Sequence, residues 1–557
     1  MAASLAPLRG VASRALHAHV RRACAQPEWR SSWRSELSAP GAAPTGARGR
    51  ALGAARASSS SAVAVPTAGG TATPATAVDA THPLARLEAR NLLKAVTSRA
   101  VWAHLDSSSS RRTIYSGVDP SASSLHLGNL LPLLALYHLR EAGLNVIVLV
   151  GGATGSIGDP SGRSTERNAL EPHELQHNVE RITAQIHAFY ARLDEWSAAA
   201  KSERSAADGG AARRGELHVC NNQEWYAGVG VLDFLRDTGK YMRLGNMLAK
   251  ESVRSRMQPT AEGGEAAGLS FTEFSYQLLQ AYDFLVLHRD RHCTLQLGGS
   301  DQLGNIVAGI ELILRLRSTS SSNGESGTRE TEQQQPAYGL TLPLLTTASG
   351  QKFGKSAGNA VWLDADMTSD FDLYQHLLRS ADADVATYLR SLTLLPLEKV
   401  EEVLQRHAAE PGKRTAQKTL ADEMVGMLRG APALRRAQTM SALLFERHEA
   451  PLPASDVFEA FHYDARLVRL DAEALGAPLA RLAADIGAAA SRGEARRLQK
   501  SGGLYLNGVA MTDASRVLES SDFSGEADGH GAYALLRVGK TEHRVLWLAS
   551  SSSSSSP

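Results

Sequence analysis

Asn145-Val146-Ile147-Val148-Leu149-Val150 is a β-branched, apolar run that two glycines, Gly151 and Gly152, bring to a stop. A strand without apolar/polar alternation is buried on both faces, which is the pattern of a parallel sheet covered by helices on each side. Around it, from residue 113 to about 318, further apolar runs alternate with longer segments of helical period. The region therefore reads as an α/β layout with a doubly wound sheet. An entry helix is expected near Pro83, where Leu84, Leu87, Leu92, Leu93 and Val96 recur at helical spacing. Beyond residue 370 the chain reads as helical to about His448, forming a separate helical domain over 366–455. Residues 475–549 form a smaller α/β unit. Its helix through Ser491 to Lys500 should stop at Gly502-Gly503, before the strand Leu504-Tyr505-Leu506.

At 557 residues the chain is too long for one core and divides into three or four units. Its formal charge of +1 conceals an asymmetry. Residues 1–80 carry nine Arg, no Lys and three acids, and the remainder is mildly acidic. A leader rich in Ala, Ser and Arg and poor in acids has the composition of a transit peptide for the mitochondrial matrix or a plastid; a plain disordered tail is the alternative. A nucleic-acid partner must then be held by local basic patches. Three cysteines, Cys24, Cys220 and Cys293, make neither a disulfide framework nor a zinc pattern, so no metal site is expected. No apolar run is long enough to span a membrane. Ser/Gly/Glu/Gln-rich stretches near 198–215 and 318–335 read as surface insertions in a unit spanning 81–365, and 550–557 as a disordered serine tail.

Two short segments carry phosphate chemistry. His126-Leu127-Gly128-Asn129 follows the strand end Tyr115-Ser116-Gly117-Val118-Asp119-Pro120 and precedes an apolar helix. That places it at a helix N-terminus, where free N–H groups and the helix dipole favour negative charge. Lys352-Phe353-Gly354-Lys355-Ser356 offers two lysines on a Gly-containing loop, point charges suited to a phosphate whose charge changes during reaction. The block from Gly151 to Arg163 matches neither the P-loop nor the dinucleotide fingerprint. It lies at the carboxyl end of a strand and supplies Asp159, a carboxylate suited to an ammonium group.

Together with Ser270-Phe271-Thr272-Glu273-Phe274-Ser275-Tyr276-Gln277-Leu278-Leu279-Gln280-Ala281-Tyr282-Asp283 and Gln296-Leu297-Gly298-Gly299-Ser300-Asp301-Gln302, these motifs resemble the class I tyrosyl-tRNA synthetases of bacterial and organellar type. The resemblance runs nearly continuously from Pro83 to about Ala549. It implies a Rossmann-like catalytic domain, a helical anticodon-binding domain, a C-terminal RNA-binding domain and a homodimer. It further implies a tyrosine-tRNA ligase that joins L-tyrosine and ATP (with Mg²⁺) into tyrosyl-adenylate, then transfers tyrosyl to the 3′ end of tRNA(Tyr). By the same resemblance Tyr115 and Asp283 bind the tyrosine phenol, and Asp159, Tyr276 and Gln280 the ammonium. Asp119, Gln296 and Gln302 complete the pocket. Ser121, His126, Arg163, Lys352 and Lys355 stabilise the transferring phosphate, while Ser116, Gly128, Asn129, Asp301 and Ser356 place the nucleotide. A half-exposed helix face explains the i, i+4, i+7 spacing of Tyr276, Gln280 and Asp283 equally well. Three polar groups beside Leu278 and Leu279 favour the pocket.

Three positions depart from the family pattern: Asn129 and Arg163 stand where His and Lys are frequent, and Leu303 where Trp is common. Arg492, Arg496, Arg497 and Lys500 are expected to meet RNA phosphates, although a charged helix is usually a solvated face. Arg315 and Arg317 are weaker RNA candidates. An RNA-splicing cofactor on the same scaffold and a tryptophan-specific ligase are the rival readings; Tyr115 with Asp283 argues against the second.

Overall fold

The computed structural model describes residues 82–106, 112–161, 170–202, 214–257, 268–322, 336–348, 350, 353–356, 359–446, 450–525 and 531–549. The leader of residues 1–80, the serine tail, most of both polar insertions, and Arg163 and Lys352 lie outside the described residues.

Six strands form the main sheet: β1 (Ala95–Val96), β2 (Thr113–Val118), β3 (Asn145–Val150), β4 (Leu217–Asn221), β5 (Cys293–Gly299) and β6 (Tyr338–Leu342). Their order is β1-β6-β5-β2-β3-β4, with β2 to β6 parallel and β1 antiparallel at the edge. The connections include helices α1 (Leu130–Glu141), α2 (Pro172–Ser202), α3 (Phe271–Arg291) and α4 (Leu303–Ser322). β3 shows why the sheet needs covering on both sides. Val146, Val148 and Val150 pack with Leu130, Leu133 and Leu134 of α1, while Ile147 and Leu149 point the other way, into a cluster with Tyr115 and Phe284. The chain winds outward from β2 through β3 to β4, then returns to lay β5 on the opposite side of β2. The reversal opens a crevice at the carboxyl ends of β2 and β5, the place where such sheets take ligands.

A hairpin of β7 (Lys355–Ser356) and β8 (Asn359–Ala360) leads into helices Asp370–Leu378, Asp382–Leu392, Leu397–Ala409, Thr415–Arg429 and Ala431–Phe445. The C-terminal sheet holds β9 (Leu467–Leu470), β10 (Leu504–Leu506), β11 (Val509–Ala510), β12 (Ala532–Val538) and β13 (Glu542–Leu548), in the order β11-β10-β12-β13-β9. Helix α5 (Arg492–Lys500) begins where the Ser491 side chain accepts the Glu494 N–H at 3.2 Å. It ends at Gly502, whose φ of +74° suits glycine and lets Gly503 N–H return to the Leu498 carbonyl at 2.7 Å.

Two boundaries differ from the sequence expectation. α2 and α4 run on to Ser202 and Ser322, into the stretches read as insertions; Ala198 and Ala199 are strong helix formers, and serine is only mildly unfavourable. The edge strand β9 pairs in parallel with β13 ahead of residue 475, too short to be separated from a loop by pattern. Among the described residues, no helix is long and apolar enough to cross a membrane.

Candidate active site

The strand register sets Tyr115 on β2 directly opposite Gln296 on β5. They are 1% and 2% exposed, yet the Tyr115 hydroxyl and Gln296 Oε1 have no hydrogen-bond partner among the described residues. A buried polar atom left so costs about 1–3 kcal/mol, which points to a ligand that completes it. α3 supplies a further wall. Tyr276 and Asp283 are buried and Gln280 half-buried, so this is not a solvated helix face. Asp283 accepts the Trp225 indole N–H on Oδ1 at 2.9 Å and the Asn222 amide on Oδ2 at 3.1 Å. Burial pushes its carboxyl up to about 7 despite hydrogen bonds from Trp225, Asn222 and Tyr226 that oppose the shift. Burial, followed by the Asp283 charge, raises the Tyr115 phenol well above its usual range, so the hydroxyl keeps its proton and can donate.

A second polar group gathers beyond the end of β2. Asp119 accepts the Tyr276 hydroxyl at 2.8 Å on one oxygen and the Thr154 hydroxyl at 2.9 Å on the other. Gly151 makes this possible, because a Cβ there would meet Asp119 Oδ1 at 2.2 Å. Asp159 accepts the Gln302 amide at 2.7 Å and the Ser161 N–H at 2.9 Å. Buried Asn305 donates to Gln280 Oε1 at 2.9 Å and lies 3.3 Å from Gln302 Oε1. Two carboxylates gathered among hydroxyl and amide donors have the chemistry to take a cation such as an ammonium group.

The two phosphate segments also meet. The His126 turn, Leu127–Asn129, opens α1; Asn129 Oδ1 accepts the His126 N–H at 3.0 Å. Gly128 leaves room for the imidazole, which lies 2.9 Å from where its Cβ would be. Gly354, with φ of +80°, packs under the same turn: a Cβ would meet Leu127 Cβ at 2.8 Å and Gly128 N at 3.2 Å. Backbone bonds join Leu127 N–H to Val361 O at 2.9 Å and Leu363 N–H to Leu125 O at 2.7 Å. Lys355 and Ser356 enter the β7 strand of the adjoining hairpin. Ser116 is buried at the β2 end and Ser121 is exposed. Asp301 sits in the turn after β5, where Gly299 makes space for its carboxylate.

The family model "tRNA synthetases class I (W and Y)" matches residues 107–446. The chain is 42% identical over 440 residues to a tyrosine–tRNA ligase of Roseiflexus castenholzii, covering 79% of this chain and 93% of that one. The chain belongs to the class I tyrosyl-tRNA synthetases. The mitochondrial tyrosine–tRNA ligase of Drosophila melanogaster is 38% identical, over 78% of this synthetase and 87% of its own length. A crystal structure of a C-terminally truncated mitochondrial tyrosyl-tRNA synthetase from Aspergillus nidulans superposes with a TM-score of 0.56 at 32% identity, covering 65% of this chain and 94% of that one.

Four residues of the candidate site are not singled out by the sequence: Thr154, Asn222, Trp225 and Asn305. Thr154 and Asn305 lie in or just beyond quoted motifs, but Asn222 and Trp225 reach Asp283 from a short segment with no periodic signal. Away from the site, Arg315 donates to the Tyr241 carbonyl at 2.6 Å and to Glu311 at 3.2 Å, and Arg317 is half-buried on the same helix. Arg496, Arg497 and Lys500 line one concavity with Gly493, Ser501 and Ala514. Arg492 instead pairs with Asp485 at 2.8 Å.

Proposed function

We propose that this tyrosine–tRNA ligase works in mitochondria as a homodimer, with the crevice between β2 and β5 as its tyrosine pocket. The observation that carries the pocket assignment is the buried, unpartnered Tyr115 hydroxyl beside the buried Asp283 carboxylate. A phenol fits that pair, accepting from Tyr115 and donating to Asp283. Phenylalanine leaves the Tyr115 hydroxyl without a partner and gives Asp283 nothing beyond its Trp225 and Asn222 bonds; an unpaired buried group costs on the order of 1–3 kcal/mol if neutral and more if charged. The ammonium is taken by Asp159, Tyr276 and Gln280, with Asp119, Gln296 and Gln302 closing the polar end.

The tyrosine carboxylate attacks the α-phosphate of ATP, a P–O bond forms as the bond to pyrophosphate breaks, and no protein nucleophile is needed. The chain's own work is alignment and stabilisation of the leaving charge. His126, Ser121, Arg163, Lys352 and Lys355 stabilise that charge, and Ser116, Gly128, Asn129, Asp301 and Ser356 seat the nucleotide. Mg²⁺ arrives on the phosphates, which supply its oxygen ligands. Transfer to tRNA(Tyr) uses the Arg496, Arg497 and Lys500 concavity for backbone phosphates, with Arg492, Arg315 and Arg317 as secondary contacts.

The Arg-rich leader and the mitochondrial relatives support the location. Exposed Val231, Leu232, Leu244 and Leu248, with Leu314 on α4, support the dimer. The deciding experiment is tyrosine-dependent ATP–pyrophosphate exchange with tryptophan and phenylalanine as controls. Exchange with tyrosine alone is expected, and equal exchange with tryptophan would overturn the pocket assignment.

A further inference from the structure

Helix Thr415–Arg429 ends against the catalytic domain. Its Gly426 lies under the Trp196 ring of α2, where a Cβ would come within 2.2 Å of the indole, and the indole N–H donates to Glu423 at 3.1 Å. Arg192, also on α2, donates to the Leu428 carbonyl. Arg429 then turns inward, its side chain only 4% exposed. Its Nη2 donates to two carbonyls, Thr368 at 3.0 Å and Trp362 at 3.3 Å. The Asp370 carboxylate stands 4.0 Å away and is shared with Arg436 at 2.8 Å. Arg429 Nε is buried with no partner among the described residues.

A buried guanidinium with an unsatisfied nitrogen is a poor source of stability, since an apolar side chain of similar volume would avoid the desolvation. What Arg429 holds is more informative. Trp362 and Thr368 are the two ends of one tight loop, closed by Trp362 N–H donating to Thr368 Oγ1 at 3.0 Å. Residue 362 bridges His126 in antiparallel fashion. Its neighbours bond to Leu125 and Leu127 on one side, and Val361 N–H bonds to Gly354 O at 2.8 Å on the other. Both phosphate segments thus hang on the backbone that one guanidinium fixes to the helical region.

We propose that Arg429 is a positioning residue for tyrosine activation: by clamping the Trp362 and Thr368 carbonyls it sets the spacing between the His126 turn and Gly354. The proposal rests on the ligase reading above. Displacements of about 1 Å remote from the chemistry can cost about a hundredfold in rate, so loss of the clamp should appear in the nucleotide step and spare the tyrosine pocket.

The test uses the full chain, its Arg429→Ala and Arg429→Lys variants, pyrophosphate exchange with ATP varied, and tyrosine binding by equilibrium dialysis. For Arg429→Ala, kcat should fall about tenfold or more with a raised KM for ATP, while tyrosine Kd stays within about twofold. Methylguanidinium should restore part of the lost rate to Arg429→Ala and leave the wild type unchanged. Lysine keeps the charge but is a point donor without the planar fork, so Arg429→Lys should show the same split in milder form, and it stands in if the alanine variant does not fold. Unchanged exchange, or exchange and tyrosine binding falling in equal proportion without rescue, would overturn the proposal and make Arg429 a stability residue. Silence from the wild type measured alongside would overturn the ligase reading itself, a separate outcome.

Discussion

Tyr115→Phe removes a single oxygen that the protein itself leaves unsatisfied, and this gives the variant two opposite consequences. In the tyrosine complex one hydrogen bond to the phenol is lost, a net of about 0.5–1.5 kcal/mol. At about 1.4 kcal/mol per decade, that raises the tyrosine KM roughly two- to twelvefold. In the free protein the same change removes a buried orphan hydroxyl and relieves its desolvation, about 1–3 kcal/mol. The free variant should therefore melt no lower than the wild type, and the upward shift that tyrosine adds to Tm should shrink. Phenylalanine, which cannot partner that hydroxyl, should be activated at least as well by the variant as by the wild type. Exchange kinetics with both amino acids, and thermal melts with and without tyrosine, measure all of these. An unchanged tyrosine KM together with a lower Tm for the free variant would mean that the hydroxyl is bonded inside the fold, and would refute the pocket.

The Asp283 carboxyl is raised from an ordinary value of 3.8 to about 7. The folded state therefore binds more protons than the unfolded state between those values, and this group's contribution to stability is present at low pH and lost as pH rises through about 7. Tyrosine binding has the opposite sense, because the phenol donates to the ionised form. Tyrosine KM should fall as pH rises from about 6 to about 8, and Asp283→Asn should raise the KM and flatten the profile; a flat wild-type profile would count against the assignment. Reversing charge at Arg496→Glu with Arg497→Glu should weaken tRNA charging while pyrophosphate exchange holds steady, and equal loss in both assays would refute the RNA role.

The parts of the fold that could be read in advance are those whose burial writes a pattern. β3 is apolar on both faces because both are covered, and α3 shows its polar face at i, i+4 and i+7. The parts that could not are contacts made across distance. Trp225 and Asn222 meet Asp283 from 58 and 61 residues away, and nothing in their short segment announces a carboxylate. Gly151 reads as a turn residue, yet what it supplies is room for the Asp119 side chain. Arg492 belongs by sequence with Arg496 and Arg497, but Asp485 engages it. A run of basic residues does not reveal which of them the protein has already neutralised.

The C-terminal sheet is upholstered on both sides. Leu536, Val538 and Leu546 face the cluster of its own helices, while Tyr533, Val545 and Trp547 press against Met440 and Leu443 of helix Ala431–Phe445 and Phe461 of the following helix, Ala454–Phe461. Most of each face is thus covered within the chain, and α5, the strand rims and exposed Arg469 of β9 give outward surface. RNA gripped there would pull on a seam of buried aromatic and aliphatic side chains. If RNA is held there, the seam would act as a gauge block, fixing how far that grip stands from the helices to which Arg429 belongs, where a loose tether would let the distance wander.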